Sequence, residues 1–207
     1  MCATCSGSTT TSLSFIACWP QDNDFNWIPT QGAGRLLRSP TVFEDLVKMI
    51  CTTNCSWALT QKMVTGLVEN LGRESSNGDR TFPTPEAMAL MPLKFYVNEV
   101  RAGYRSEYLK LLADRVASGE LDVEAWLTSP LPTAELMKEM RGVKGVGPYA
   151  AENLLKLLGR YDGLALDSWT RAKFFPYEIM DARPPTRRSL VTIHASKNGA
   201  DWRCGAI

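Results

Sequence analysis

Long apolar runs are missing from this chain. No stretch approaches the roughly eighteen consecutive apolar residues that a membrane span requires, and the early patch "LSFIACW" is short and lacks a basic leader. A cytoplasmic protein is therefore expected, with no membrane as partner, and one associated with the nucleoid if the source is bacterial. Histidine is nearly absent, with His194 standing alone. The six cysteines, Cys2, Cys5, Cys18, Cys51, Cys55 and Cys204, are scattered. Only Cys2 and Cys5 form a CxxC, and a closed zinc site needs four ligands, so none is expected. Away from a secretory route these thiols need not pair. Charge of one sign is lacking too: 23 basic and 22 acidic side chains leave a net +1, which neither demands nor excludes nucleic acid. Residues 130–175 hold seven basic residues against five acids, a balance that a solvated helical face would also show. Strand alternation does not persist past residue 40, and no segment repeats.

What remains is enough for a core: 207 residues, 44% hydrophobic, sufficient for one compact domain or two small ones. The first 34 residues are rich in Ser, Thr, Gly and Cys and then turn-like, with one short strand expected near Leu13 to Trp19. From there the periods are helical, so the fold is expected to be mainly α. In "SPTVFEDLVKMICTTNC", Ser39 is placed to cap, Pro40 suits a first turn, Glu44 and Asp45 favour the positive end, and Val42, Phe43, Leu46, Val47 and Ile50 form an apolar stripe. A second helix is expected from Trp57 to Leu71, with Gly72 placed to stop it. Thr84-Pro85-Glu86 opens a short helix, "YRSEYLKLLADRVASG" gives a long one ending near Gly119 with a shorter one after it, and Thr133 begins another.

The segment "EMRGVKGVGPYAAENLLKLLGRYDGLALDSWTR" places three glycines in six positions between two helical runs. A helix ending at Met140, then Gly-Val-Lys-Gly-Val-Gly, then Pro148 at the first position of a new helix, describes a tight helical hairpin. Glycines permit positive φ and close approach of another backbone, and unpaired N–H groups at the start of the second helix, beside its positive dipole, suit a phosphate. Gly145, Gly147 and Lys144 are the candidate phosphate binders, and Val143 and Val146 would plug the hairpin into the core. An ordinary αα turn would use the same glycines for geometry alone. A dinucleotide fold is not expected, since no strand precedes the glycines and no ribose-binding acid sits in a βαβ unit.

"GVKGVGPYAA" resembles the helix-hairpin-helix phosphate-binding motif of DNA-repair proteins. Twenty residues past Gly147 comes Asp167 in "GLALDSWTR". That order is similar to the DNA glycosylase superfamily defined by the hairpin, a Gly/Pro-rich loop and an aspartate. Upstream, "GRLLRSPTVFEDLVKMICTTNCSWALTQKMVTGLVENLG", "FPTPEAMA" and "GYRSEYL" resemble 8-oxoguanine DNA glycosylases and, more loosely, bacterial 3-methyladenine DNA glycosylase II. The resemblance covers roughly residues 34 to 175 and divides the chain into an irregular N-terminal remnant (1–34), a helical glycosylase domain (35–175) with the hairpin at about 134–159, and an atypical tail (176–207).

The resemblance implies base-excision repair of double-stranded DNA carrying a damaged base, by a monomeric DNA N-glycosylase that flips the base out of the duplex. Asp167 is the implied catalytic carboxylate, stabilising positive charge on the sugar and orienting water; a helix N-cap would also explain it. Asn54 in "CTTNC" matches the family's wedge position, or is simply a turn residue. Tyr104 and Arg105 match a segment bordering the base pocket, where a core role for a helix-start aromatic is the alternative. Trp169 and Tyr149 are read as pocket or packing residues. Bifunctional members carry a Schiff-base lysine two residues after the last hairpin glycine; Pro148 and Tyr149 stand there instead, so no strand cleavage is expected. The backbone carbonyls of Arg141, Val143 and Val146 are implied ligands of a monovalent cation. The four-cysteine iron–sulfur loop of one branch is absent, since only Cys204 follows the aspartate.

Two departures carry expectations of their own. The family's small β domain is not matched ahead of "LLRSP", so the chain reads as truncated there. From Pro176 the helical period is lost; back-translated with freely chosen synonymous codons and read two bases over, the tail spells a basic, helix-like segment resembling the family's own C-terminus. A frameshift near residue 176 is the expectation, which the nucleotide sequence tests. A catalytically inactive, DNA-binding remnant is the rival reading.

Overall fold

The computed structural model describes residues 31, 36–161 and 165, and of these 37–161 fall within one compact unit. That unit is helical: α1 (Val42–Thr52), α2 (Trp57–Leu71), α3 (Pro85–Ala89), α4 (Leu93–Asn98), α5 (Arg105–Ala117), a 3₁₀ turn (Glu124–Thr128), α6 (Thr133–Met140) and α7 (Pro148–Leu157). Among the described residues there is no strand, only an isolated antiparallel bridge between Glu74 and Arg80 in the α2–α3 loop. No helix among them is long and apolar enough to cross a membrane.

α1 is the centre of the unit and packs on α2, α5, α7 and the 3₁₀ turn. Its apolar stripe is buried as the spacing predicts: Val42, Phe43, Leu46, Val47 and Ile50 all lie in the core. Each such side chain contributes about 1.5–3 kcal/mol on burial, whereas intrinsic propensity over eleven residues supplies little. The cap differs from expectation. Thr41, not Ser39, is the N-cap, its Oγ1 accepting from Glu44 N–H at 3.2 Å. Ser39 instead donates its N–H to Asp45 Oδ1 at 3.1 Å. This draws Asp45 into the interior, where Oδ2 has no partner and desolvation pushes the carboxyl above its ordinary value despite the Ser39 hydrogen bonds.

The first amides of α1 are also held from a distance. Glu124, at the start of the 3₁₀ turn, accepts from Val42 N–H at 3.0 Å and Phe43 N–H at 2.9 Å, one bond to each carboxylate oxygen. A carboxylate at a helix N-terminus meets both the orphan donors and the positive dipole end. Glu124→Leu, which removes both acceptors, is expected to lower unfolding stability by about 1–3 kcal/mol, because charge-assisted bonds exceed neutral ones. Urea titration checks this; an unchanged midpoint would show that water or Thr41 satisfies those amides equally well.

α2 ends at Gly72 as expected, but not through a left-handed glycine: its φ is −68°. Glycine is required because a Cβ there would sit 2.2 Å from the Thr81 carbonyl oxygen and 2.5 Å from that of Val68. Farther along, the fully buried Trp126 donates its indole N–H to Glu139 Oε1 at 2.9 Å, fixing the 3₁₀ turn against α6. Arg160 donates to the carbonyls of Leu131 (2.6 Å) and Ser129 (2.5 Å), fastening the end of α7 to the loop that opens α6.

Candidate functional site

α6 and α7 form the expected hairpin. α6 closes with Arg141 N–H on Met137 O (3.0 Å), and the chain then turns through Gly142 N–H on Glu139 O (2.9 Å), Val143 N–H on Met140 O (3.0 Å) and Val146 N–H on Val143 O (3.0 Å). Val143 and Val146 are each 5% exposed and belong to the core, so the two valines anchor the turn from beneath while the residues between them are raised to the surface.

The last two hairpin glycines serve different ends. Gly145 has φ +95° and lies against the Tyr108 ring, where a Cβ would come within 2.7 Å of Cδ2. Both conformation and packing demand glycine there. Gly147 is extended, at φ −84° and ψ 179°, and nothing among the described residues lies within 4 Å of where its Cβ would be. It is the N-cap of α7 and supplies no side-chain cap. Among the described residues, the amides of Gly145 and Gly147 have no acceptor. Two donors beside the positive end of a ten-residue helix are therefore without a partner among the described residues.

Lys144, between them, reaches back across α5: its Nζ is 3.7 Å from Glu107 Oε2 and 5.4 Å from the Tyr108 ring centroid. Both members of that ion pair are more than half exposed, and such pairs are worth about 0–1 kcal/mol. An incoming anion can therefore displace Glu107 from Lys144.

A second group of predicted residues meets at the start of α5. Tyr104 is half-exposed and stands edge-on to Tyr108, ring centroids 5.7 Å apart. The Arg105 guanidinium lies 4.5 Å over the Tyr104 ring. Arg105 itself is buried and donates to Thr53, from Nε to Oγ1 at 3.2 Å and from Nη2 to the carbonyl oxygen. The next residue is Asn54, exposed at the α1–α2 turn with φ +47°; Asn tolerates this left-handed conformation better than most.

A continuous line of contacts thus runs from the Asn54 turn through Arg105, Tyr104 and Tyr108 to Lys144 and Gly145. Of the other predicted residues, Tyr149 is half-buried in the first turn of α7 and its carbonyl accepts from Asn153 Nδ2 at 2.9 Å. Arg141 is exposed at the end of α6. Asp167 and Trp169 lie outside the described residues, as do the expected strand at Leu13–Trp19 and the tail from Pro176. The sequence reading missed Tyr108 and Thr53. Tyr108 lies one helical turn after Tyr104, an i, i+4 spacing that places the two rings on one face.

No family model and no curated protein sequence matches the chain. Solved structures do. The 8-oxoguanine glycosylase/lyase of Clostridium acetobutylicum, in its apo-form, aligns at TM-score 0.64 and 25% identity over 80% of this chain. The 3-methyladenine DNA glycosylase of Archaeoglobus fulgidus aligns at TM-score 0.61 and 21% identity over 86%. That of Schizosaccharomyces pombe, in complex with abasic DNA, aligns at TM-score 0.58 and 22% identity over 96%. The chain spans 57% of the clostridial protein's length, 61% of the archaeal one's and 93% of the yeast one's. The fold is that of the helix-hairpin-helix base-excision DNA glycosylases.

Proposed function

We propose that the chain is a monofunctional base-excision DNA N-glycosylase acting on duplex DNA that carries a damaged base. The observation that carries the reading is Gly147, whose glycine identity is required by no conformation and by no neighbour among the described residues, and whose amide, with that of Gly145, has no acceptor among them at a helix start. A phosphate oxygen approaching closely explains both the missing side chain and the missing partner. Lys144 exchanges Glu107 for the same phosphate. With the backbone so docked, Asn54 occupies the space vacated by the flipped base, and Tyr104 lies against the neighbouring nucleotides.

Asp167 is the carboxylate of the reaction. As the bond between C1′ and the base nitrogen lengthens, its electron pair leaves with the base and positive charge grows on the sugar. The carboxylate stabilises that charge and orients water, whose oxygen bonds to C1′ while the departing base takes up a proton. No amine stands at Tyr149, the position from which lyases of this fold attack the sugar, so an abasic site is the product.

The hairpin carbonyls also fit a monovalent cation in part: those of Arg141 and Val146 accept no hydrogen bond among the described residues, while that of Val143 accepts from Val146 N–H. The first two, with the second lone pair of the third, would hold the ion and stiffen the turn.

Single-turnover assays on labelled duplexes carrying alkylated, oxidised or deaminated bases, with and without hot alkali, test the reading. Breaks that appear only after alkali support it and identify the lesion. Breaks without alkali would overturn the monofunctional assignment; binding with no breaks would leave a DNA-binding protein without glycosylase activity.

A further inference from the structure

α4 leads into α5 through residues 99–104, and that turn is fixed at both ends. Glu99 and Val100 donate their N–H groups to Phe95 O at 2.9 and 3.2 Å, and Ala102 donates to Tyr96 O at 3.0 Å. The start of α5 is closed by Arg105 N–H on Ala102 O and Ser106 N–H on Gly103 O, both at 3.1 Å. Val100 and Ala102 are buried. Val100 Cα lies 3.5 Å from where a Cβ of Gly66 would stand, so α2 backs the turn. Between the two buried residues the chain turns left-handed at Arg101, which is exposed and has φ +58°. Helices commonly end on a left-handed glycine, because a Cβ is penalised there. Gly103, two residues on with the same φ, follows that rule; Arg101 does not.

The surroundings impose this conformation, but nothing in the described unit calls for the side chain. The Arg101 guanidinium makes no hydrogen bond or ion pair among the described residues, although Glu99 stands two residues away. Arg80, Arg115 and Arg160, by contrast, each hold a carbonyl or a carboxylate. Lys62 is in the same state as Arg101. It is exposed and unpaired among the described residues, one turn before Gly66 on the α2 face that backs Val100. One helical turn, the helix–loop contact and one peptide keep the Cα atoms of Lys62 and Arg101 within about 15 Å. Three residues of chain, at most about 11 Å, separate Arg101 from Tyr104 and the line of contacts that leads to the hairpin. A costly backbone conformation that persists at a surface residue points to function.

Resting on the glycosylase reading above, we propose that Arg101 and Lys62 form a second contact with the DNA backbone, separate from the hairpin. The Arg101 guanidinium holds two oxygens of one phosphate, a geometry its planar fork matches, and Lys62 adds a point charge beside it. The turn thereby keeps a cation where stability alone favours glycine.

The test compares wild type with Arg101→Gly, Arg101→Lys and Lys62→Gln, in urea unfolding and in binding to a duplex with an abasic site over a range of salt. Arg101→Gly should raise the urea midpoint, because glycine adopts the left-handed φ freely. Its DNA affinity should fall about tenfold, with the slope of log affinity against log salt shallower by about one. Arg101→Lys should keep the wild-type slope and lose only part of the affinity. Lys62→Gln should flatten the slope by a similar amount with a smaller loss, about threefold. Wild-type affinity and slope in Arg101→Gly would overturn the proposal and leave a surface arginine or a site for free anions. A loss of affinity at unchanged slope would overturn it too, since conformation and not charge would then be responsible. So would a lowered urea midpoint, which would show that the side chain supports the fold, or an Arg101→Lys protein with the slope of Arg101→Gly. Unaltered binding by Lys62→Gln would overturn its half of the proposal. Failure of the wild type to bind any duplex would overturn the glycosylase reading and this one together, whereas binding weakened by Gly147→Ala but by none of these variants overturns this one alone.

Discussion

Asp167→Asn is expected to slow base excision about 10²- to 10³-fold, the cost typical of removing one preorganised electrostatic contact to a transition state, while affinity for a duplex carrying an abasic site stays unchanged. Magnitude separates the two readings of this residue. Asn and Asp are near-equivalent N-caps, so a residue that only opened the next helix would lose at most a few tenths of a kcal/mol of stability and almost no rate. A carboxylate facing developing positive charge loses its charge entirely in the substitution, and a neutral amide cannot replace it. Single-turnover rates developed with alkali, measured beside binding to the product-like duplex, give both quantities from one preparation. Excision within about threefold of wild type, a difference of only about 0.7 kcal/mol in barrier, would remove Asp167 from the mechanism and move the search to the carboxylates of the described surface.

The sequence was most legible where one physical signal dominated. The Trp57–Leu71 helix was recovered at both ends because a polar turn precedes it and Gly72 follows, and the stripe of α1 was recovered because burial follows the helical period. Pro148 at the first position of α7, after Gly147, fixed the hairpin register. α4 was not anticipated: six residues, two of them aromatic, opened by Pro92 with no capping side chain, carry no start signal. The capping error at Ser39 has a similar origin. Ser39 and Thr41 are both competent caps, and the choice turned on a contact with Asp45 inside the fold.

The site divides in the same way. Local residues such as Gly145, Gly147 and Val143 were legible because the hairpin is contiguous in sequence. The contact of Arg105 with Thr53 was not, because the two lie 52 residues apart and only packing of α1 on α5 brings them together. The cap of Glu124 on α1, more than 80 residues distant, was hidden for the same reason. Glycine spacing also concealed a distinction that the fold makes plain, since Gly145 is dictated by Tyr108 and Gly147 by nothing in the described unit.

That distinction yields the second large expected effect, on a different property for each of two glycines that stand two positions apart in the motif. Gly145→Ala should destabilise the fold by about 2–5 kcal/mol: roughly 1–2 for a side chain held at a left-handed φ and roughly 1–3 for the methyl forced against the Tyr108 ring. Against a total stability of about 5–15 kcal/mol this is a large loss, visible as a lower urea midpoint with an unchanged slope. Gly147→Ala should leave that midpoint nearly unmoved, since its φ is open to any residue and the lost freedom of the unfolded chain, about 0.4–1 kcal/mol, offsets the poorer N-cap. Its methyl, however, enters the space through which a phosphate must approach two unpaired amides, and DNA affinity should fall about tenfold, the value of one hydrogen bond to a charged group. The shallower dependence of affinity on salt expected from a lost phosphate contact gives an independent readout. Wild-type affinity in Gly147→Ala would mean that the hairpin does not bind the backbone, and wild-type stability in Gly145→Ala would mean that Tyr108 does not support it. Loss of affinity without loss of stability at Gly147, and of stability at Gly145, would establish that one glycine builds the turn so that the other can serve the ligand.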